Sequence, residues 1–278
     1  MDTELTLWGA SVKAFPLAER IEAARAGGFT AVSVFPYEVN AAAAAGLDPR
    51  GFRERFEDQG LRIAVVDPLT TWLPESRVPD DLPPEDPATG ALAPTAMFEL
   101  ATALGADVVT ALALFDDLVE PVSAAAAFAS VCDRAAERDL RLALEFIPGS
   151  GIPDLRCAWE IVRRSDRANG GLMLDSWHFF RSDPDFELLA AIPPDRVFAI
   201  QLDDAPAEPA ADLAHESLHE RLIPGDGELD LARFTRILLD GGTPQLIGPE
   251  VFSDATAELP ASQLGRLLGE RTRELIGS

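Results

Sequence analysis

Four predicted strands in the second half of the chain each end in a side chain that carries an oxygen atom. The strand-end residues are Glu145, Asp175, Gln201 and Glu250, in the runs RLALE, GLMLD, VFAIQ and LIGPE. Oxygen ligands favour Mg2+ or Mn2+ over Zn2+, which prefers histidine and cysteine. Without a cation, three converging carboxylates would repel one another and be costly to desolvate. The alternative is that each acid only caps the following helix, which explains one strand more easily than four successive ones.

Two further polar residues lie close to these strand ends. His178 follows Asp175 by three residues, in DSWHFF, where an imidazole could hydrogen-bond a substrate oxygen and transfer a proton. Arg221 precedes the tight turn PGDG, and a guanidinium suits a carboxylate, a phosphate or an oxyanion of the substrate. A surface ion pair is the alternative for Arg221 in so acidic a chain.

Apolar runs that alternate with helical patterns must position these residues. Eight strands are predicted, at 5–12, 30–36, 62–69, 107–115, 141–146, 171–175, 196–202 and 244–252. Helices are predicted between them, at 16–28, 93–105, 122–139, 153–166, 185–192, 229–242 and 258–276. Nearly continuous hydrophobicity is typical of parallel strands buried on both faces. The alternation predicts one α/β domain over residues 1–278, a (β/α)8 TIM barrel with its active site at the carboxyl ends of the strands.

Three aromatic residues are candidates for the wall of a substrate pocket. Trp8 and Phe252 belong to the first and last predicted strands, which are neighbours in a closed barrel, and Trp72 follows the third strand. Core packing is the alternative for each of them. The connections at 37–50, 70–92 and 203–228 are predicted to be loops that set substrate specificity, with 70–92 as a surface loop or lid.

Composition excludes several classes of partner. The chain has 23 basic and 47 acidic residues, a net charge of −24, which opposes binding to nucleic acid or to an acidic membrane surface. Two cysteines cannot build a disulfide framework. The start, MDTELTLWGASV, has no basic region followed by an apolar run, and no stretch has the roughly 20 apolar residues of a membrane span. We therefore expect a cytoplasmic protein.

The chain resembles the xylose isomerase-like TIM barrels of the sugar phosphate isomerase/epimerase superfamily. The matching segments are ALEF, LMLDSWH, FAIQLDDAP, RLIPGDGELD and PEVF. The resemblance implies one divalent metal, Mn2+ or Mg2+, and it implies an acid–base role for Glu145 and Glu250. It also identifies His178 with the histidine of the family's D-x-x-H motif and Arg221 with its substrate-binding arginine. The implied metal ligands are Glu145, Asp175, Gln201 and Glu250.

The residue after the seventh strand departs from the commonest family pattern. Most of these epimerases have histidine where this chain has Gln201. The form Q-x-x-D-A-P together with D-S-x-H is similar to bacterial 3-dehydroshikimate dehydratases of the same superfamily. The loop after Glu145, FIPGSGIPD, however, supplies no arginine or histidine to hold a ring carboxylate.

Three functional hypotheses follow. The first is a metal-dependent isomerase or epimerase that removes a proton next to the carbonyl of a sugar or keto-polyol, through an enediolate that the metal stabilises. The second is a metal-dependent dehydratase or β-eliminating lyase acting on a keto-cyclitol, a dehydroshikimate-like compound or a keto-glycoside. The third, from another class, is a non-catalytic barrel that binds a sugar. In each case the partner is a small molecule. A dimer or tetramer is common for such barrels, but no stripe in this sequence establishes an interface, so the oligomeric state stays open.

Overall fold

Eight parallel strands form the centre of the protein, as the sequence predicts. In a computed structural model, which describes residues 4–76, 91–115, 117–240, 242 and 246–277, each strand pairs with the next and the last pairs with the first, so the sheet closes into a barrel. The strands are β1 (Glu4–Leu7), β2 (Ala31–Val34), β3 (Arg62–Leu69), β4 (Val108–Ala111), β5 (Arg141–Leu144), β6 (Gly170–Asp175), β7 (Val197–Leu202) and β8 (Leu246–Pro249). The predicted TIM barrel is therefore confirmed.

The helices lie outside the barrel or beyond its carboxyl-terminal end. They are α1 (Leu17–Ala26), α2 (Pro36–Ala44), α3 (Pro49–Glu57), α4 (Pro94–Leu104), α5 (Pro121–Ala136), α6 (Leu155–Ser165), α7 (Ser176–Arg181), α8 (Phe186–Ala191), α9 (Leu213–His219), α10 (Leu231–Asp240) and α11 (Ala261–Ile276). All seven predicted helices are present. Four others, α2, α3, α7 and α9, lie in segments for which the sequence analysis predicted no helix.

The short helices have local causes that the sequence does contain. Asp48 caps α3 by accepting the Gly51 N–H over 2.8 Å, and Phe52 and Phe56 are four residues apart and both buried, as on the apolar face of a helix. Asp212 caps α9 in the same way, by accepting the His215 N–H over 3.0 Å.

The first and last helices pack against each other without intervening side chains. Gly265 and Gly269 on α11 face the backbone of Ala23 and Gly27 at α1, and a Cβ atom at either α11 glycine would overlap a carbonyl oxygen there. Only glycine permits this approach. The helix pair therefore joins the two ends of the chain beside β1 and β8.

The predicted lid extends into residues that the structure does not describe. Positions 77–90 of the 70–92 connection lie outside the described residues. Within the described ranges, no helix is long and apolar enough to cross a membrane.

Candidate active site

The four strand-end residues converge at the carboxyl-terminal end of the barrel. Asp175 is in register with Gln201 in the β6–β7 pair. Glu145 directly follows β5, where its N–H donates to the Ala111 carbonyl over 3.1 Å, and Glu250 follows β8, where its N–H donates to the Leu202 carbonyl over 3.0 Å. All four side chains are buried.

A cavity of about 450 Å³ opens at this end of the barrel. Its charged lining consists of Glu145, Glu250, Asp67 and Arg221, with His178 beside them. The remaining walls are mostly apolar and include Phe35, Leu112, Leu114, Trp177, Leu213 and Phe252. The cavity thus combines a carboxylate cluster with an apolar surround, as small-molecule sites commonly do.

His178 belongs to the carboxylate cluster. Ligand atoms of Glu145, Asp175 and His178 all lie within 4.8 Å of one another, close enough to hold a metal ion. His178 Nε2 lies 3.3 Å from Glu145 Oε1, and the His178 backbone N–H donates to Asp175 Oδ1 over 2.7 Å. His178 Nδ1 is buried and has no hydrogen-bond partner among the described residues.

Arg221 is held by protein groups on several sides. Its Nη1 donates to Asp175 Oδ2 over 2.8 Å and to Asp203 Oδ2 over 2.5 Å, while Nε donates to the Ser217 carbonyl over 2.8 Å and Nη2 to Ser217 Oγ over 3.1 Å. The guanidinium carbon is 5.1 Å from the centroids of both the Trp177 and the Phe252 rings. Arg221 therefore fixes Asp175, and most of its donors are engaged within the protein.

Asp203, in the connection after β7, hydrogen-bonds the start of α7, the helix that follows β6. Its Oδ1 accepts the Ser176 hydroxyl over 2.6 Å and the Trp177 N–H over 2.7 Å, and its Oδ2 accepts Arg221. The start of α7, which carries His178, is thereby fixed to the connection after β7.

A second buried network fixes the other side of Trp177. Glu216 Oε1 accepts the Trp177 indole N–H over 2.8 Å and Arg181 Nε over 2.6 Å. Glu216 Oε2 accepts the Ala210 N–H over 2.5 Å. Because these groups are paired and hydrogen-bonded, their burial is compatible with a stable structure, and α9 is anchored to α7.

Burial and mutual repulsion change the ionisation of the cavity groups. Burial raises the pKa of Glu145 well above its usual range, and the charges of Asp67 and Asp175 raise it further. The pKa of Glu250 is raised in the same direction, by burial first and then by Glu145 and Asp67. Burial also raises the pKa of Asp67 to about 7 and lowers the pKa of His178 to about 4. A cation bound among these carboxyl groups would reduce the repulsion between them and favour their charged forms.

Gln201 provides the sharpest test of whether the residues fit a metal. Its side chain is buried, yet neither its amide oxygen nor its amide nitrogen has a hydrogen-bond partner within the described part of the chain. A buried unpaired amide is costly. A cation held by the neighbouring carboxylates would satisfy the amide oxygen, so the donor set of Glu145, Asp175, Gln201 and Glu250, with His178 nearby, fits a divalent metal.

The predicted aromatic wall residues occupy three different environments. Phe252 lines the cavity. Trp8 is fully buried in a cluster with small barrel side chains that include Ala31 and Ala64. Trp72 packs edge-on against Phe128 of α5, with ring centroids 5.5 Å apart. Neither tryptophan is among the described residues that line the cavity.

Sequence reasoning missed three functional candidates: Asp67, Asp203 and Glu216. Asp67 lies within β3, in the run RIAVVDPL, and an acid inside so apolar a strand was a usable signal. Asp203 stands two residues after Gln201. Glu216 lies in a polar segment, LAHESLH, that gives no indication of burial.

Comparison with known proteins agrees with this architecture. The model of a family described as xylose isomerase-like TIM barrel matches residues 21–270. A 3-dehydroshikimate dehydratase of Pseudomonas aeruginosa is 32% identical over an alignment of 270 residues, and the alignment covers 93% of this chain and 40% of that protein. An inosose isomerase of Bacillus licheniformis is 28% identical over an alignment of 187 residues, and the alignment covers 65% of this chain and 66% of that one. The chain spans about two fifths of the length of the dehydratases that it matches.

Two solved structures show the same fold. The IOLI protein with a bound zinc atom superposes with a TM-score of 0.83 at 19% identity, over 99% of this chain and 98% of that one. A fusion of a xylose isomerase-like TIM barrel with a 4-hydroxyphenylpyruvate dioxygenase superposes with a TM-score of 0.81 at 27% identity, over 96% of this chain and 41% of that one.

Proposed function

Since the chain belongs to the xylose isomerase-like TIM barrel family, we propose that it is a divalent-metal-dependent enzyme that removes a proton next to the carbonyl group of a small polyhydroxylated ketone. The observation that carries the proposal is Gln201, whose buried amide lacks a partner among the described residues and stands in register with Asp175. Glu145, Asp175, Gln201 and Glu250 would hold the metal, with Mn2+ or Mg2+ favoured by the oxygen donors. When bound, the metal supplies Lewis-acid polarisation of the carbonyl.

The two glutamates carry the proton transfer in this proposal. Glu145 and Glu250 both line the cavity, so a substrate between them would meet a carboxyl group on two sides. One glutamate takes the proton from the carbon next to the carbonyl, and the other returns a proton to the opposite face or to the neighbouring carbon. The result is epimerisation or isomerisation.

His178 orients the reacting groups. Because burial lowers its pKa to about 4, the imidazole is neutral near pH 7 and can both donate and accept a hydrogen bond. With Nε2 against Glu145, it can hold that carboxylate towards the substrate. Arg221 would act mainly through Asp175, which it positions. Phe252 would form part of the wall of the substrate pocket.

The charge of the cavity favours an uncharged substrate. Arg221 is the only cation among the described lining residues, and Asp175 and Asp203 already neutralise it. A substrate carboxylate or phosphate placed away from the proposed metal would therefore meet the cavity carboxyl groups, and the arginine that could offset the repulsion is already paired. A neutral keto sugar or keto-cyclitol is the substrate class that fits.

A dehydratase is the second candidate function. The 32% identity to a 3-dehydroshikimate dehydratase along 93% of this chain supports it, and it needs the same first proton abstraction. The reactions separate at the next step: return of the proton gives isomer or epimer, and loss of a hydroxyl group from the adjacent carbon gives an unsaturated ketone and water.

Mass spectrometry in D2O tests both candidates. The protein, loaded with Mn2+, Mg2+ or Zn2+, is incubated with a panel of neutral keto sugars and keto-cyclitols and with 3-dehydroshikimate. Deuterium gain without loss of mass is expected for a neutral ketone. Loss of water would move the assignment to the dehydratase. If metal-loaded protein produced neither change across the panel, the proposed enzyme would give way to a non-catalytic binding barrel.

A further inference from the structure

The cavity at the end of the barrel has two chemically different ends. Its inner end carries Glu145, Glu250 and Asp67, whose side chains are all buried. Its outer end is bounded by Leu213 and Leu218 of α9 and by Leu114 and Ile147, in the connections after β4 and β5. The inner end can hold a polyol and a metal, but the outer end offers little to hydrogen-bond a hydroxyl group.

Helix α9 presents a leucine-bearing face to this outer end. Leu213, Ala214, Ser217 and Leu218 all line the cavity, and their spacing of one, four and five residues is that of one helical face. Glu216 is turned away, into its buried ion pair with Arg181. That ion pair fixes the rotation of α9 and therefore keeps the leucines at the mouth.

These leucines are unusually exposed for their type. Leu213 is 36% and Leu218 is 38% exposed, and they are two of the four large apolar residues that stand out on the described surface, with Leu118 and Val122. A single exposed leucine needs no explanation. Here two exposed leucines lie together at the mouth of a cavity that has a carboxylate cluster at its base. This placement indicates a surface that a ligand covers.

We propose that the substrate carries an apolar aryl or alkyl substituent beside its keto-polyol part, and that Leu213, Leu218, Leu114 and Ile147 bind this substituent. The inference rests on the proposed function for the orientation of the polyol towards the carboxylates. A cavity of about 450 Å³ lies within the range of roughly 300–1,000 Å³ that encloses drug-sized ligands. An ether or glycoside of a keto sugar or keto-cyclitol is the chemical class that fits both ends.

Binding of two matched probes tests the proposal. The probes are the methyl and the cyclohexyl β-glycoside of the same 3-keto-glucose, which differ only in the apolar group. Trp177 lines the cavity, so stopped-flow tryptophan fluorescence of the Mn2+-loaded protein measures Kd before any turnover. We expect the cyclohexyl glycoside to bind at least tenfold more tightly, because the leucines remove its apolar surface from water.

Two variants locate the effect. The double variant Leu213→Ser/Leu218→Ser is expected to reduce the ratio of the two Kd values to less than threefold, and the half-exposed positions make a folding defect a minor risk. Leu118→Ser removes a more exposed leucine, 73% exposed and not part of the cavity lining, and should leave the ratio unchanged. Equal Kd values in the wild-type protein, or a ratio that the double variant retains, would overturn the proposal.

Deuterium uptake separates this inference from the proposed function. If the methyl glycoside gains deuterium from D2O but the two probes bind equally, the enzyme remains and the apolar subsite is refuted. If the cyclohexyl probe binds more tightly and neither probe gains deuterium, the subsite is supported and the proton abstraction on this substrate is refuted.

Discussion

Arg221 donates from Nη1 to Asp175 Oδ2 over 2.8 Å, and both side chains are almost completely buried. The same nitrogen also reaches Asp203. The positive charge of Arg221 is thus shared by two carboxylates of the protein, and its first task is to hold Asp175 in place.

Replacement of Arg221 should therefore affect stability. Arg221→Met leaves two buried carboxylates without their partner, and we expect a loss of about 3–5 kcal/mol in the free energy of unfolding, with a smaller loss for Arg221→Lys. Urea denaturation of the metal-free protein measures it. Arg163→Met, which removes an exposed pair with Glu160 on α6, should change stability by less than ~1 kcal/mol. A similarly small change for Arg221→Met would show that Arg221 does not support the site.

Gln201→Leu should separate metal binding from folding. Since the buried amide has no partner within the described residues, its loss should leave the unfolding free energy of the metal-free protein unchanged or raise it by about 1 kcal/mol. Metal affinity should fall at least tenfold. Isothermal titration with Mn2+ and urea denaturation give the two quantities, and Gln263→Leu, at an exposed position on α11, is the control. Unchanged affinity would remove Gln201 from the ligand set.

Gln201→His tests the ligand role in the opposite direction. An imidazole nitrogen should retain metal binding and shift the preference from Mn2+ towards Zn2+. Competition titrations with the two metals report the preference. The same selectivity in wild type and variant would contradict coordination by residue 201.

Each of the two glutamates that we propose as proton-transfer groups should be essential to turnover. Glu145→Gln and Glu250→Gln each remove a proton-transferring carboxyl group, and we expect kcat to fall by roughly 10²–10⁴-fold with the circular dichroism spectrum unchanged. Glu99→Gln, on α4 in an exposed pair with Arg138, should keep the wild-type rate. Near-normal kcat in either cavity variant would refute the two-carboxylate mechanism.

The stability of the metal-free protein should fall as pH rises. Burial raises the pKa of Asp67 to about 7, so folded Asp67 keeps a proton that the unfolded chain releases above about pH 4. The unfolded state then binds fewer protons, and the contribution of Asp67 to stability decreases between about pH 4 and 7 and is constant above that range.

Asp67→Asn isolates this pH dependence. The variant should show a shallower decline of the unfolding free energy between pH 5 and pH 8 when measured in urea with a chelator present. Saturating Mn2+ should stabilise the wild-type protein most at the upper end of that range, where the carboxylates are charged. An identical pH profile for wild type and Asp67→Asn would show that Asp67 titrates normally.

Most of the fold could be predicted from the sequence because strand burial and strand order leave direct traces. Nearly continuous apolar runs marked the eight strands, and the residues at the ends of the last four strands could be placed at one end of a barrel from topology alone. Helices α2 and α9 were missed because their apolar faces are narrow: α9 buries Glu216 and Ser217 and exposes two leucines.

The surroundings of the strand-end residues were less predictable. Arg221 donates to Asp175 and Asp203 because the connection after β7 returns to the carboxyl end of β6. No local sequence pattern encodes the path of this connection. The two tryptophans away from the cavity illustrate the same limit. Trp8 directly follows β1, which ends at Leu7, whereas the predicted strand continued to residue 12. It fits among small barrel residues such as Ala31 and Ala64, and this complementarity exists only in three dimensions.

The glycine-mediated contact between α1 and α11 has a consequence for folding kinetics. Gly265 and Gly269 meet residues 242 positions earlier in the chain, at Ala23 and Gly27, and β1 completes the sheet by pairing with β8. Contacts of such long sequence separation carry a large loop-closure cost and slow the folding reaction. Closure of the sheet therefore has to wait until β8 has been synthesised, and a ribosome-bound chain that lacks β8 would leave the β1 edge unpaired.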